Sequence, residues 1–227
     1  MPRSAQAAVS RATGGGTPTA QAINTAAIDL FFKHGYEAAT LRDVADKVGL
    51  KVASLYNYIA SKQELLFAIM CCVMDDLLRD VEQAVAQQVD PVERLRAAVR
   101  THVVFHASRT KEVFIGNSEL RSLSPKNRAQ IVRQRDRYEA LFREIVQQGR
   151  DAGVFHVEDE DVKVTSFGLL AMCTGPSMWF SPRGRLSVTD LSDLYTHLAL
   201  RLVGVAGPKI STNGTGHGST RRRTQSG

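Results

Sequence analysis

The sequence predicts an all-α protein, and three observations carry that expectation. Apolar side chains recur at helical spacing in nearly every segment between residues 17 and 206, strand-like alternation is absent, and glycine, proline and capping residues divide the periodic stretches cleanly. A hydrophobic fraction of 43% in 227 residues suits a globular chain with a sizeable core. No internal repeat is visible. Residues 1–16, small and polar with three consecutive glycines, and residues 207–227 have almost nothing to bury. They are expected to be a flexible arm and a disordered basic tail, because neither end can offset its ordering entropy.

The first helix is expected to begin with Thr17 as N-cap and Pro18 at its first position, to bury Ile23, Ala26, Ala27, Leu30 and Phe31, and to stop at Gly35. Thr40 followed by Asp43 has the form of a capping box, opening a short second helix through Val44, Ala45 and Val48 that ends at Gly49. A third short helix, about 52–59, follows after two or three residues. Ser61 then caps a long fourth helix over 62–88, with Leu65, Leu66, Ile69, Val73, Leu77, Val81 and Val85 on its inner side. Beyond Asp90-Pro91, a cap followed by proline, helices are placed over 91–108, 110–122, 125–152, 159–180 and 187–204, with breaks at Ser124-Pro125, Gly153 and Ser181-Pro182. This gives nine helices: a three-helix head over 17–62 and a helical body over 63–206.

The formal charge of +6 is uneven: residues 1–66 carry seven basic and five acidic side chains, 67–206 eighteen of each, and 207–227 four basic and none acidic. A neutral body with basic ends suits a polyanion bound at one end of the molecule. Three cysteines, Cys71, Cys72 and Cys173, form neither a disulfide framework nor a C-x-x-C metal motif, which points to a reducing cytoplasm. The N-terminus lacks the apolar region of a secretory signal and no run of 18 apolar residues occurs, so a soluble cytoplasmic protein without membrane association is expected.

In the head, two short helices joined by a glycine turn, the second preceded by AxxVGL, have the helix-turn-helix arrangement. On the second helix Ala53 is small enough for close approach to a groove, and Lys51, Ser54, Tyr56 and Tyr58 offer hydrogen-bond donors, which phosphate oxygens accept. Lys62 opens the following helix, where backbone N–H groups already favour an anion. The competing expectation is that Tyr56 and Tyr58 are core aromatics.

Residues 26–66, AAIDLFFKHGYEAATLRDVADKVGLKVASLYNYIASKQELL, closely resemble the DNA-binding head of the tetracycline-repressor (TetR) family of bacterial regulators. The resemblance implies an Ω-shaped homodimer whose last two helices form the interface, and an inducer pocket among the middle helices. By position, Thr40, Ser54, Tyr56, Tyr58 and Lys62 align with the family's backbone contacts, and Lys51, Val52 and Ala53 with its base contacts. There are two departures. Lys51 stands where Ser or Thr often caps the recognition helix, giving up a cap but able to donate to guanine. No basic residue occurs between Arg11 and Lys33, so Arg3 and Arg11 on the arm are candidates for the minor groove, against a plain disordered leader.

Residues 119–155 and 178–191 resemble the regulators of fatty-acid and steroid breakdown within this family, which implies a pocket for an acyl group or an acyl-coenzyme A thioester. Phe67, Met70 and Met74 on the fourth helix, Phe105 on the fifth, Phe114 on the sixth, and Tyr138 with Phe142 on the seventh would converge on it, methionine and aromatic rings adapting to a flexible chain. Any one of them is equally placed to be ordinary core. Arg121, Arg135 and Arg137 are candidates for the thioester's phosphates, or else solvated faces. His102 and His106 have the i, i+4 spacing of a metal pair, but no nearby Glu or Cys completes a set; they are expected to line the pocket or to pack, and no metal or cofactor is expected. For the dimer interface, Gly168, Ala171 and Gly175 would permit close approach, with Leu191, Leu194, Leu198 and Leu202 as an apolar stripe; the competing expectation is that the stripe closes the monomer core.

The function expected is a ligand-responsive repressor that releases palindromic operator DNA on binding a hydrophobic effector. A multidrug sensor controlling an efflux gene is the alternative effector class. An enzyme using Cys71, Cys72 or Ser118 as nucleophile is not expected, since no histidine lies at helical spacing from these cysteines and no G-x-S-x-G elbow or glycine-rich phosphate loop occurs. A DNA-packaging protein without sequence preference fits the basic ends but not the large neutral body.

Overall fold

Proline at a first helical position with a side-chain oxygen just before it starts three of the segments that matter most, and the computed structural model, which describes residues 17–158 and 161–205, places helices accordingly. Among the described residues there are no strands. The helices are α1 (Pro18–His34), α2 (Leu41–Val48), α3 (Val52–Leu55), α4 (Lys62–Ala86), α5 (Pro91–Ser108), α6 (Thr110–Ser118), α7 (Pro125–Asp151), α8 (Val162–Thr174) and α9 (Val188–Leu202), with single turns at Leu120–Ser122 and Pro176–Trp179. The arm with Arg3 and Arg11 and the basic tail lie outside the described residues.

The caps read from the sequence at Thr17, Thr40, Ser61 and Asp90 are made, and the structure adds two more at Ser124 and Ser187. Thr17 and Asp90 accept from the first-turn N–H groups of α1 and α5, and Ser61 and Ser124 do the same for α4 and α7. Thr40 and Asp43 form a complete capping box on α2, and Ser187 with Asp190 another on α9. Gly49 ends α2 in the left-handed region at φ 72°, where a side chain would be strained. Three expectations need correction. The third helix is a single turn of four residues that ends at Leu55, because the next N–H groups, of Asn57 and Tyr58, bond three residues back instead of four. The sixth ends at Ser118 and passes into the turn Leu120–Ser122. The eighth breaks at Gly175, since Pro176 has no N–H with which to continue the ladder.

Two apolar clusters fill the interior. One joins α1–α3 to the first half of α4 and to Ile115, Leu123 and Ile131, around Ile23, Phe31, Leu55, Leu65 and Leu66. The other, around Val81, Leu95, Val99, Phe142, Ile145 and Leu169, holds the second half of α4 with α5, α7, α8 and α9. α4 therefore belongs to both and connects the head to the body. At the end of α7 the chain folds back so that Phe155 lies against Gly149, where an added Cβ would meet the ring at 2.0–2.5 Å.

The head is also tied to the body by polar contacts. Lys111 on α6 and Lys47 on α2 both reach the Asp29 carboxylate on α1, at 2.6 and 2.8 Å. The Tyr36 N–H donates to Glu119, Gln63 Nε2 donates to the Ser122 carbonyl, and the Ser124 N–H donates to Gln63. The connection between α6 and α7 thus grips the turn after α1 and the start of α4.

Candidate nucleic-acid interface and ligand cavity

α3 is held to the head by one anchor, Leu55, which is fully buried, while Lys51, Ala53 and Tyr56 are exposed and Val52, Ser54 and Tyr58 are partly so. A helix of four residues buries its inner side on Leu55, with Val52 packed at the edge of the head core, and leaves its outer side free, which is the placement a groove-reading element requires. The Lys51 side chain has no ion pair or hydrogen bond among the described residues. Tyr56, at 55% exposed, presents its ring and hydroxyl outward. Tyr58 packs at the edge of the head core, so it is the more rigid of the two tyrosines.

Two of the expected phosphate contacts are otherwise engaged. The Lys62 ammonium donates to the Tyr36 carbonyl at 2.9 Å, the Ala39 carbonyl at 3.0 Å and the Glu37 carbonyl at 3.3 Å, and stands 4.3 Å from the centre of the Tyr36 ring. All three of its protons are directed at the turn between α1 and α2. The Thr40 hydroxyl directs its proton to Asp43 at 2.7 Å within the capping box. Both residues shape the head.

In the body, α4, α5, α6, α7 and α8 enclose a cavity of about 260 Å³. Its apolar wall includes Met70, Val73, Met74 and Leu77 of α4, Val113 of α6, Ile131 of α7, and Phe167 and Leu170 of α8; its polar groups include His102, His106, Asn117, Arg135, Asp136, Tyr138, Glu139 and Thr174. Five of the expected pocket residues, Met70, Met74, His102, His106 and Tyr138, therefore meet there.

The others do not. Phe67 is buried in the head cluster, and Phe142 lies in the body core behind His102, edge to face at 5.9 Å. Phe105 packs in the same core with the Arg109 guanidinium 4.9 Å from its ring centre. Phe114 is exposed and meets Phe32 of α1 at 5.3 Å. Arg121 is exposed beside the turn after α1, and Arg137 points outward to pair with Glu82 at 2.7 Å. Of the three arginines only Arg135 reaches the cavity.

Arg135 is partly buried and donates to the Gly116 carbonyl of α6 at 2.8 Å, with no carboxylate in ion-pair range among the described residues; burial lowers its pKa below the usual guanidinium value. Glu139 accepts from Ser166 at 2.6 Å and has Arg143 at 3.7 Å. The two histidines stack face to face at 3.9 Å. His102 Nδ1 lies 2.7 Å from the Tyr138 hydroxyl and its Nε2 is 3.4 Å from Thr174 Oγ1; His106 Nδ1 is 2.9 Å from the His102 carbonyl. Burial pushes His102 well below the ordinary histidine value, with His106 adding to the effect, and pushes His106 down to about 4 against the opposing bond to His102. Both are neutral at pH 7. Burial also holds Tyr138 protonated, well above its ordinary value.

The cavity residues missed from sequence, among them Asn117, Glu139, Phe167 and Thr174, fall into two kinds. Glu139 and Tyr138 lie four and three residues after Arg135 on one side of α7, a signal that was available. Phe167 and Thr174 sit on an α8 apolar nearly all round, so nothing in the sequence tells which side meets α5.

For the nucleophile an enzyme would need, burial pushes Cys71 and Cys173 up to about 12 and Cys72 up to about 11, so the reactive thiolate is suppressed in all three. The buried Ser118 hydroxyl has no hydrogen-bond partner and hence no base beside it. Among the described residues no group of three or more His, Cys, Asp or Glu gathers as metal ligands, and no helix is long and apolar enough to cross a membrane.

On α8 and α9 an apolar face stays outside the core. Val164, Phe167, Leu198 and Leu202 are 67%, 51%, 46% and 49% exposed, with Gly168 and Ala171 open between them and Leu202 3.7 Å from the position of a Cβ on Gly168. Leu191 is a correction: it is fully buried and belongs to the monomer core. Leu194 and Gly175 are partly buried.

A one-turn helix exposed on a small helical head, joined to a helical body, defines a helix-turn-helix regulator. Residues 23–69 match the family described as bacterial regulatory proteins, tetR family, and residues 88–203 match the tetracyclin repressor-like C-terminal domain. The chain belongs to the TetR family of transcriptional regulators. It is similar to the HTH-type transcriptional repressor KstR2 of Mycobacterium tuberculosis, 26% identical over 178 residues, 78% of this chain and 87% of that protein. Among solved structures it resembles a tetR-family regulatory protein from Rhodococcus RHA1 (29% identity, TM-score 0.78, covering 84% of this chain and 100% of that one). It also resembles AibR in complex with isovaleryl coenzyme A and operator DNA (31% identity, TM-score 0.72, covering 78% and 96%).

Proposed function

We propose that this regulator is a cytoplasmic, homodimeric repressor that releases a pseudo-palindromic operator when an acyl-coenzyme A thioester, or a similar long apolar acid, fills the cavity of the body. The observation that carries the reading is the cavity's composition: methionine and leucine walls from α4 with one partly buried guanidinium, Arg135, that has no counter-ion among the described residues. The apolar chain would be desolvated against Met70, Met74 and Leu77, and Arg135 would meet the anionic end, exchanging the Gly116 carbonyl for a charged partner. The binding of isovaleryl coenzyme A by AibR supports the ligand class, and the repressor KstR2 supports the direction of control.

In this reading the α3 helices of two subunits enter successive major grooves. Lys51 and Ala53 face the bases, and Tyr56, Tyr58 and Ser54 hold phosphates. The face of Phe167, Leu198 and Leu202 is the subunit interface. Filling the cavity displaces α4, which the head cannot ignore because Leu65, Leu66 and Ile69 are part of its core. The coupling is reciprocal, so operator-bound protein must hold the effector less tightly than free protein.

The test is fluorescence anisotropy on an operator selected from random DNA. Micromolar acyl-coenzyme A is expected to release it, and free coenzyme A or a planar cationic drug is not. Release by the drug alone would assign the cavity to a multidrug sensor. Lys51→Ala is expected to relax preference at one base pair, by about 1–3 kcal/mol; equal weakening on all sequences would remove Lys51 from base reading.

A further inference from the structure

One hydrogen-bonding atom beside the cavity has no partner among the described residues. A carbonyl oxygen only accepts, so the 2.9 Å contact with the His102 carbonyl fixes the proton of the neutral His106 ring on Nδ1. That leaves Nε2, at the far end of a ring that borders the cavity, as a bare lone pair on a side chain only 5% exposed. No donor among the described residues reaches it.

Next to it, stacked on the same ring pair, runs the chain Thr174–His102–Tyr138, with contacts of 3.4 and 2.7 Å. Three protons serve these two contacts. If Tyr138 donates to Nδ1, Nε2 donates to Thr174 and the Thr174 proton is left over; if His102 takes the other tautomer, the Tyr138 proton is left over. Thr174 and Tyr138 both line the cavity. In either tautomer the wall formed by α5, α7 and α8 therefore presents one unspent acceptor and one unspent donor.

We propose that the effector carries a hydroxyl group, which donates to His106 Nε2 and accepts from Tyr138 or Thr174. A ketone or thioester carbonyl can satisfy only the donor, and a plain alkyl chain satisfies neither. His106 is then the residue that separates hydroxylated from unhydroxylated ligands. This rests on reading the cavity as the effector site and adds the functional group it selects. Once a ligand fills the cavity and excludes solvent, leaving this acceptor unpaired lowers affinity by roughly five- to a hundredfold.

The experiment measures, by calorimetry on the full chain, the Kd values of octanoyl-coenzyme A, of its 2-, 3- and 8-hydroxy derivatives and of the 3-oxo derivative. At least one hydroxylated thioester is expected to bind roughly tenfold or more tightly than the parent and the 3-oxo compound, and His106→Phe, which keeps the stacked ring, is expected to erase that difference. Should the variant not fold, the wild-type chain gives the same answer: the His106 Nε2 nitrogen-15 resonance moves upfield on adding cyclohexanol and stays in place with cyclohexanone. Thioesters that bind with no hydroxyl preference overturn the proposal, since solvent would then serve Nε2 as well as any ligand. If no thioester binds but cyclohexanol moves the resonance, the hydroxyl site stands and the thioester reading falls. If neither does so, both fall.

Discussion

Lys62 opens α4, the end of a helix where the backbone dipole disfavours a cation. What holds it there is the turn between α1 and α2, whose Tyr36, Glu37 and Ala39 carbonyls take its three protons at 2.9, 3.3 and 3.0 Å. Lys62→Met keeps the length of the stem and removes the ammonium. Two of the three carbonyls are partly buried, and each loses a hydrogen bond worth about 0.5–1.5 kcal/mol, with roughly 0.5–1 more from the lost cation–ring contact. The expected loss of stability is about 1.5–4 kcal/mol, equivalent for a chain of this size to a fall in Tm of roughly 3–16 °C. The assay is differential scanning calorimetry together with the salt dependence of operator affinity. If Lys62 shapes the head, Tm falls and the slope of log K against log salt is unchanged at temperatures where the variant is folded. A slope reduced by about one unit per site, with Tm within a degree or two of the wild type, would show a phosphate contact instead and refute this account.

Gly149→Ala places a methyl group inside the Phe155 ring and is expected to cost about 1–3 kcal/mol in chemical denaturation, part of which Phe155→Leu restores when combined with it. His106 titrates at about 4 in the folded chain against about 6.5 unfolded, so the unfolded state binds the extra proton. Its contribution is fully present above pH 6.5 and is lost as the pH falls toward 4; urea melts should show about 2 kcal/mol less stability at pH 5 than at pH 7 from this group, and His106→Phe should remove that part of the pH dependence. Leu198→Arg with Leu202→Arg, on the exposed face of α9, is expected to yield a monomer in sedimentation at micromolar concentration with helix content unchanged; a dimer would place the interface elsewhere.

The sequence by itself determined the helical class and most of the element boundaries, because caps, prolines and glycines act locally. Thr17, Thr40, Ser61, Asp90, Ser124 and Ser187 each bond within three residues of themselves, so their role does not depend on the rest of the fold. The glycine turn and the exposed side of the recognition helix were legible for the same reason. What a side chain on a long helix faces was not. Arg135 and Arg137 differ by two positions on α7, about half a helical turn, which sends one into the cavity and the other to Glu82 in solvent. Leu191 and Leu198 share one apolar stripe in sequence, yet the packing of α9 on α5 buries the first and leaves the second exposed at 46%. Lys62 is the sharpest case: its three acceptors lie 23 to 26 residues away in the chain. The tertiary structure decided these assignments because a helix carries its apolar periodicity in the sequence, whereas the angle at which each helix meets its neighbours depends on all the side chains packed between them.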